Sequence, residues 1–199
     1  MKNTWLTPVL ATGLALGLGG CADDDDGATA APDLRAAWLD YASGDLAQAG
    51  DAFLEAVAEA PRSAEAWCGL GWTRAALHME EEEADLREGV LSAFREADRH
   101  QVDYVDAWAG LAEFHHAAND TLLALEWALD AAEVGGPDYQ FVHRAGVNHR
   151  SLRKIAAWSL FKLGRYAEAG AQVRAVLPAF QYAGGPDSLE VLWEGIGGL

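Results

Sequence analysis

Residues 64–71 read Ala-Glu-Ala-Trp-Cys-Gly-Leu-Gly, and they follow closely on Ala49-x-x-x-Phe53-x-x-Ala56-x-x-x-x-Pro61. Ala49, Phe53 and Ala56 recur at i, i+4 and i+7, which puts them on one face of a helix. Small Ala side chains let two helices approach closely, and the large Phe53 fills the space between neighbouring helix pairs. Pro61 stops the helix because it has no N–H to continue the ladder. Gly44-Asp45-Leu46 introduces this helix with a C-cap glycine followed by an N-cap acid. The unit so defined is a helical hairpin, and residues 64–71 open the next one.

The same phase returns along the chain. Val90, Phe94 and Ala97 repeat the Ala49, Phe53, Ala56 face, and Trp108 and Leu111 repeat Trp67 and Leu70, with Ala112 in place of Gly71. Asn119-Asp120 makes a turn before Ala124, Ala128 and Ala131, which Gly135-Gly136-Pro137 closes. Residues 163–169, Leu-Gly-Arg-Tyr-Ala-Glu-Ala, read as one more turn and helix start. These positions resemble the tetratricopeptide repeat, a Trp-x-x-Leu-Gly helix followed by an Ala-x-x-x-aromatic-x-x-Ala-x-x-x-x-Pro helix with a period of about 34 residues. The resemblance covers residues 33–177. It implies an all-α, right-handed α-solenoid of about four hairpins.

Two stretches depart from that pattern. The second helix of the second hairpin comes late, and the excess lies between Leu77 and Gly89, around Glu80-Glu81-Glu82-Glu83; a helical extension or a longer turn accommodates it. Residues 138–150 hold too many β-branched, aromatic and Gly residues for a helix and read as a loop over the stack. The first helix of the fourth hairpin then spans about 151–163, without the early Trp. A short amphipathic helix over about 188–195, with Leu189, Leu192 and Trp193 on one face, covers the open end of the last pair.

The N-terminus carries an address. Lys2 precedes an apolar run from Trp5 to Gly20, interrupted by Gly13, Gly17, Gly19 and Gly20. It is shorter than the roughly 20 apolar residues of a membrane span. Leu18-Gly19-Gly20-Cys21 resembles the lipobox of bacterial lipoproteins, which implies a signal peptide over 1–20 and lipid, palmitate included, on Cys21. Ala22 lacks the Asp that retains such proteins in the inner membrane, so the resemblance implies the outer membrane, facing the periplasm. Residues 21–32 include Asp23-Asp24-Asp25-Asp26 among small residues and form an acidic, solvated tether. The Asp run has neither the Gly turn nor the distal Glu of an EF-hand loop. Residues 33–199 form the helical domain.

The net charge of −17 makes nucleic acid and anionic headgroups poor electrostatic partners and favours a neutral or cationic polypeptide. With lipid on Cys21, Cys68 has no intramolecular partner, so there is no disulfide framework. Its apolar helical setting reads as a small packed thiol, since a reactive one needs cationic neighbours.

In the resembled family the first helix of each pair lines a concave groove. Carried over, one inward position takes Trp38, Trp72, Glu113 and Trp158. The next takes Tyr41, Ala75, His116 and Phe161, and a third takes Leu34, Cys68, Ala109 and Lys154. Such aromatic anchors suit capture of an extended or helical peptide. The alternative is that these rings pack against neighbouring repeats, or that the 138–150 loop folds over them. No catalytic residues emerge. The six His, at 78, 100, 115, 116, 143 and 149, include no i, i+4 pair, and no hydrolase, nucleotide or haem motif occurs. His143 and His149 have a route to His115 or His116 only through space. The expectation is therefore a lipid-anchored adaptor, not an enzyme, without metal or cofactor, that binds another envelope protein or peptide. The competing reading is a small-ligand- or metal-binding periplasmic protein, or an enzyme, using the groove aromatics with Glu113 and the His side chains.

Overall fold

In a computed structural model the described residues are 33–81, 84–184 and 188–199. Residues 1–32, with the expected signal peptide over 1–20, Cys21 and the expected tether over 21–32, lie outside them. Helix boundaries fall at the turn residues. α1 (Arg35–Ser43) ends at Gly44, whose φ of 86° is the left-handed geometry that a side chain resists. The Asp45 carboxylate then accepts from the Gln48 N–H at 3.3 Å and opens α2 (Leu46–Glu59), which stops ahead of Pro61. The Ser63 hydroxyl accepts from the Ala66 N–H at 3.2 Å at the start of α3 (Ala64–Glu81), and α4 (Ala84–His100) follows. α5 (Val105–Ala117) and α6 (Thr121–Gly135) are joined through Asn119, at φ 59°.

α7 (His149–Lys162) begins with a capping box. The Asn148 side chain accepts from the Ser151 N–H, and the Ser151 hydroxyl accepts from the Asn148 N–H, each at 3.0 Å. Asn148→Ala removes half of that box and should lower stability by about 1 kcal/mol, read as a shifted midpoint in urea with an unchanged slope. α8 (Tyr166–Val176) follows Gly164, and α9 (Leu189–Gly197) ends the chain.

Each helix packs chiefly on its sequence neighbours, so α1/α2, α3/α4, α5/α6 and α7/α8 form antiparallel hairpins in a row. Among the described residues, contacts between next-but-one helices occur only in the odd set: α1 touches α3, α3 touches α5, α5 touches α7, and α7 touches α9. The odd helices are therefore the crowded inner layer of a helical-repeat stack, and the even ones are the outer layer.

Ala49, Ala97, Ala124, Ala128 and Ala131 are fully buried and hold the helix pairs close. Phe53 and Phe94, from the even layer, plug into bare backbone of the odd one. A Cβ added at Gly69 would lie 2.2 Å from the Phe53 ring, and at Gly110 it would lie 2.3 Å from the Phe94 ring. Burial of each ring stabilises by about 1.5–3 kcal/mol.

Of the two accommodations open for the excess in the second hairpin, helix extension is the one adopted, α3 running to Glu81 and α4 starting at Ala84; Glu82 and Glu83 lie outside the described residues. Two local details differ from the sequence-based expectation. α7 begins at His149 rather than 151, because the Asn148 box nucleates it earlier. In α9 the inward face is Leu192 and Ile196, while Trp193 is 48% exposed, since burial at i, i+4 rotates the indole to the rim. No helix among the described residues is long and apolar enough to cross a membrane.

Candidate functional site

The inner layer carries a groove, and the chain's own 138–148 segment fills its N-terminal half. That segment is an irregular hairpin closed by one antiparallel bridge, Gln140 to Asn148. The Phe141 N–H donates to the Val147 carbonyl at 2.9 Å, and the His149 N–H donates to the Tyr139 carbonyl at 3.0 Å. Phe141 stacks on Trp72 with centroids 5.1 Å apart, and His143 lies flat on Trp38 at 3.9 Å. The Arg144 guanidinium sits over the Trp72 ring at 5.3 Å. Both indoles are almost fully covered, Trp38 at 4% and Trp72 at 1% exposure.

Each indole N–H is satisfied inside the stack. Trp38 donates to a Glu65 carboxylate oxygen at 3.1 Å, and Trp72 donates to the Asp106 carbonyl at 3.3 Å. Both arrangements left open for these rings are present at once: they pack on neighbouring helices and bond to the next hairpin, and the loop folds over them. Trp38 and Trp72 are thus occupied positions rather than an open face. Leu34, Cys68 and Ala109 are buried in the core and border neither cleft of the groove.

Glu113 and His116 of α5 stand at the middle, half-buried, and line two adjoining clefts. The first, about 530 Å³, is bordered by Tyr41, Trp72, Ala75 and Arg144 as well. The second, about 460 Å³, adds Lys154, Ile155, Trp158 and Trp193. The Trp158 ring meets Trp193 at 4.5 Å and runs parallel to Phe161 at 6.3 Å, with the Lys162 ammonium 5.9 Å above it. Phe161 itself packs against Trp193 and Tyr166, beside the second cleft rather than within it. The Lys154 ammonium is 3.4 Å from the Gly197 carbonyl. The groove residues therefore divide into a covered set, Trp38 and Trp72, and an accessible set, Tyr41, Glu113, His116, Lys154 and Trp158.

Electrostatics follow from this half-burial. Burial pushes the Glu113 carboxyl above the usual range, and the Arg144 cation opposes that. Burial also raises Asp106, against the Tyr139 hydroxyl that donates to it at 2.9 Å. His116 is held below the ordinary imidazole range by burial and then by Lys162, and His143 by burial against the pull of Glu65 and Asp106. The Cys68 thiol is driven well up by burial, with Asp106 and Glu65 adding to it, so it is a poor nucleophile.

The His side chains do not converge. His116 and His143 border the first cleft, whereas His115 pairs with Asp120 at 3.2 Å on the outer side, where Arg87 also holds that carboxylate. Among the described residues no group of three or more His, Cys, Asp or Glu is placed to hold a metal ion.

Sequence reasoning missed Asp106, Tyr139, Phe141, Arg144 and Trp193. The signal for the loop residues was present: three large apolar side chains, Tyr139, Phe141 and Val147, in a segment without helix periodicity demand a burial site of their own. No protein-family model matches the chain, and no curated protein is significantly similar to it.

Proposed function

We propose that this chain is a non-catalytic adaptor of tetratricopeptide type, a right-handed superhelix held at a membrane by lipid on Cys21, and that it captures a segment of another envelope polypeptide. The observation that carries this reading is the pair of adjoining clefts on the inner layer. They share Glu113 and His116, and rings of Tyr41, Trp158 and Trp193 stand open along them. Aromatic walls supply contact area at low rotamer cost, and the few polar groups set register. The 21–32 tether would let the domain search near the membrane face, which raises its effective concentration for a partner there. The outer membrane, facing the periplasm, fits the Ala22 that follows Cys21.

A second reading rests on the size of the Trp158–Trp193 cleft, about 460 Å³, which lies in the range of a small-molecule pocket. One experiment separates the two. A photo-cross-linking phenylalanine analogue replaces the exposed Lys154 in the full chain, and intact cells are irradiated. The adaptor reading expects one discrete polypeptide adduct that disappears when Trp158→Ala is added and when Cys21→Ser releases the chain from the membrane. Absence of any polypeptide adduct, with a small molecule retained on the purified chain, would transfer the assignment to a ligand carrier.

A further inference from the structure

Connecting segments usually run over a surface, where water satisfies their backbone. Residues 139–144 instead fold into the groove, bridged at Gln140 and then closed by a turn in which the Arg144 N–H donates to the Phe141 carbonyl at 3.4 Å. Their side chains alternate: Phe141 is 1% exposed and Val142 is 82% exposed, with Tyr139 and His143 turned in and Gln140 turned out. Each inward group has its own receptor on the odd helices. The Tyr139 hydroxyl donates to Asp106, Phe141 stacks on Trp72, and His143 stacks on Trp38. Arg144 then lies over the Trp72 ring and within the field of Glu113. The receptor surface is acidic and aromatic, formed by Glu65, Asp106 and Glu113 beside Trp38, Tyr41 and Trp72. The segment answers it with aromatics at alternate positions followed by an imidazole and a guanidinium.

We infer that residues 139–144 are a resident ligand of the groove, and that the partner is a segment that presents the same order of aromatics and a following cation on a tight turn, and displaces them. This rests on the adaptor reading and specifies its partner. Tyr139, Phe141 and His143 each enter a separate receptor, so the groove reads the order of these side chains as the turn presents them. Charge agrees, since a chain of net charge −17 with three carboxylates around this half of the groove favours a cationic visitor. Competition from the resident segment lowers apparent affinity by the fraction of molecules whose groove is open. Variants that unseat the loop should therefore bind such a peptide more tightly.

The probe is a fluorescein-labelled synthetic peptide, Asp-Tyr-Gln-Phe-Val-His-Arg-Ala-Gly, matching residues 138–146. Fluorescence anisotropy is read against the full chain in detergent, unaltered or carrying Phe141→Ala with His143→Ala. The variant should bind at least about 10-fold more tightly than the unaltered chain, and a peptide with its Phe and Arg replaced by Ala should lose that gain. Arg144→Glu, at an exposed position, weakens the loop without touching the core; it should give a smaller gain and decides the matter if the double variant does not fold. Equal binding by folded loop variants and the unaltered chain, or no binding by either, overturns the inference. If the Lys154 cross-linked polypeptide persists in that case, the adaptor assignment stands and only the identity of the segment is lost; if that adduct is missing too, both fall.

Discussion

Phe94→Ala should cost about 3–5 kcal/mol of unfolding free energy, near the upper end of what one truncation removes from a core. The ring is fully buried and leaves the even layer to sit between two odd helices. It meets backbone at Gly71 and Gly110 and presents an edge to Trp72 at 5.8 Å and 86°. Deleting it forfeits the burial of the ring and leaves a void that helices anchored on both sides cannot close. Gly110→Ala tests the contact from the other side. An alanine is worth about 1 kcal/mol more than glycine in a helix interior, yet its methyl would lie 2.3 Å from a ring with nowhere to go. Overpacking of that kind costs about 1–3 kcal/mol, so the net sign should be destabilising. Urea unfolding followed by circular dichroism measures both. A loss under about 1 kcal/mol for Phe94→Ala would mean that the layers are not keyed together by this ring.

Trp72→Ala should be comparably severe, about 3–5 kcal/mol, and should have a second signature. Trp72 carries Phe141 on one side and Arg144 over its ring, and its indole N–H holds the Asp106 carbonyl. Removing it takes away the platform of the 139–144 segment, so the Phe141 and Val147 amides, which donate to the Val147 and Arg144 carbonyls within that hairpin, should exchange with solvent far faster, while amides in α8 keep their protection. Trp158→Ala is the contrast. That ring is half-buried at the open cleft, so its loss should cost about 1–2 kcal/mol and leave exchange in 138–148 unchanged. If Trp72→Ala leaves the Phe141 and Val147 amides protected, the segment does not depend on the indole for its seat.

The architecture was legible wherever a residue type has one structural use. Gly44-Asp45, Asn119-Asp120 and Leu163-Gly164 mark turns because left-handed backbone or an acid at a helix start has few other causes, and the helices begin and end at them. The Phe53 and Phe94 phase gave the outer layer for the same reason. The inner layer was harder to read. Trp38, Tyr41, Trp72, Glu113, His116, Lys154 and Trp158 were named together from the register of a repeat, and that register is silent on what a distant loop does. Whether Trp38 is open or covered depends on a segment about one hundred residues later in the chain, with no periodic signal of its own. The spacing of Leu189, Leu192 and Trp193 puts the indole on the buried face of its helix, whereas Leu192 and Ile196 are the residues that fill that face.

Stacks of repeats are governed by nearest neighbours, and such chains melt piecemeal from their ends, since no unit knows about any beyond the next. The contact of His143 with Trp38 breaks that rule by joining the third turn-around to the very first helix. A row of hairpins laced in this way loses its freedom to fray at α1 while the interior stays intact. Its transition on heating should sharpen into a single cooperative event, and its assembly must wait for a long loop to close, an entropic delay that a bare stack never meets.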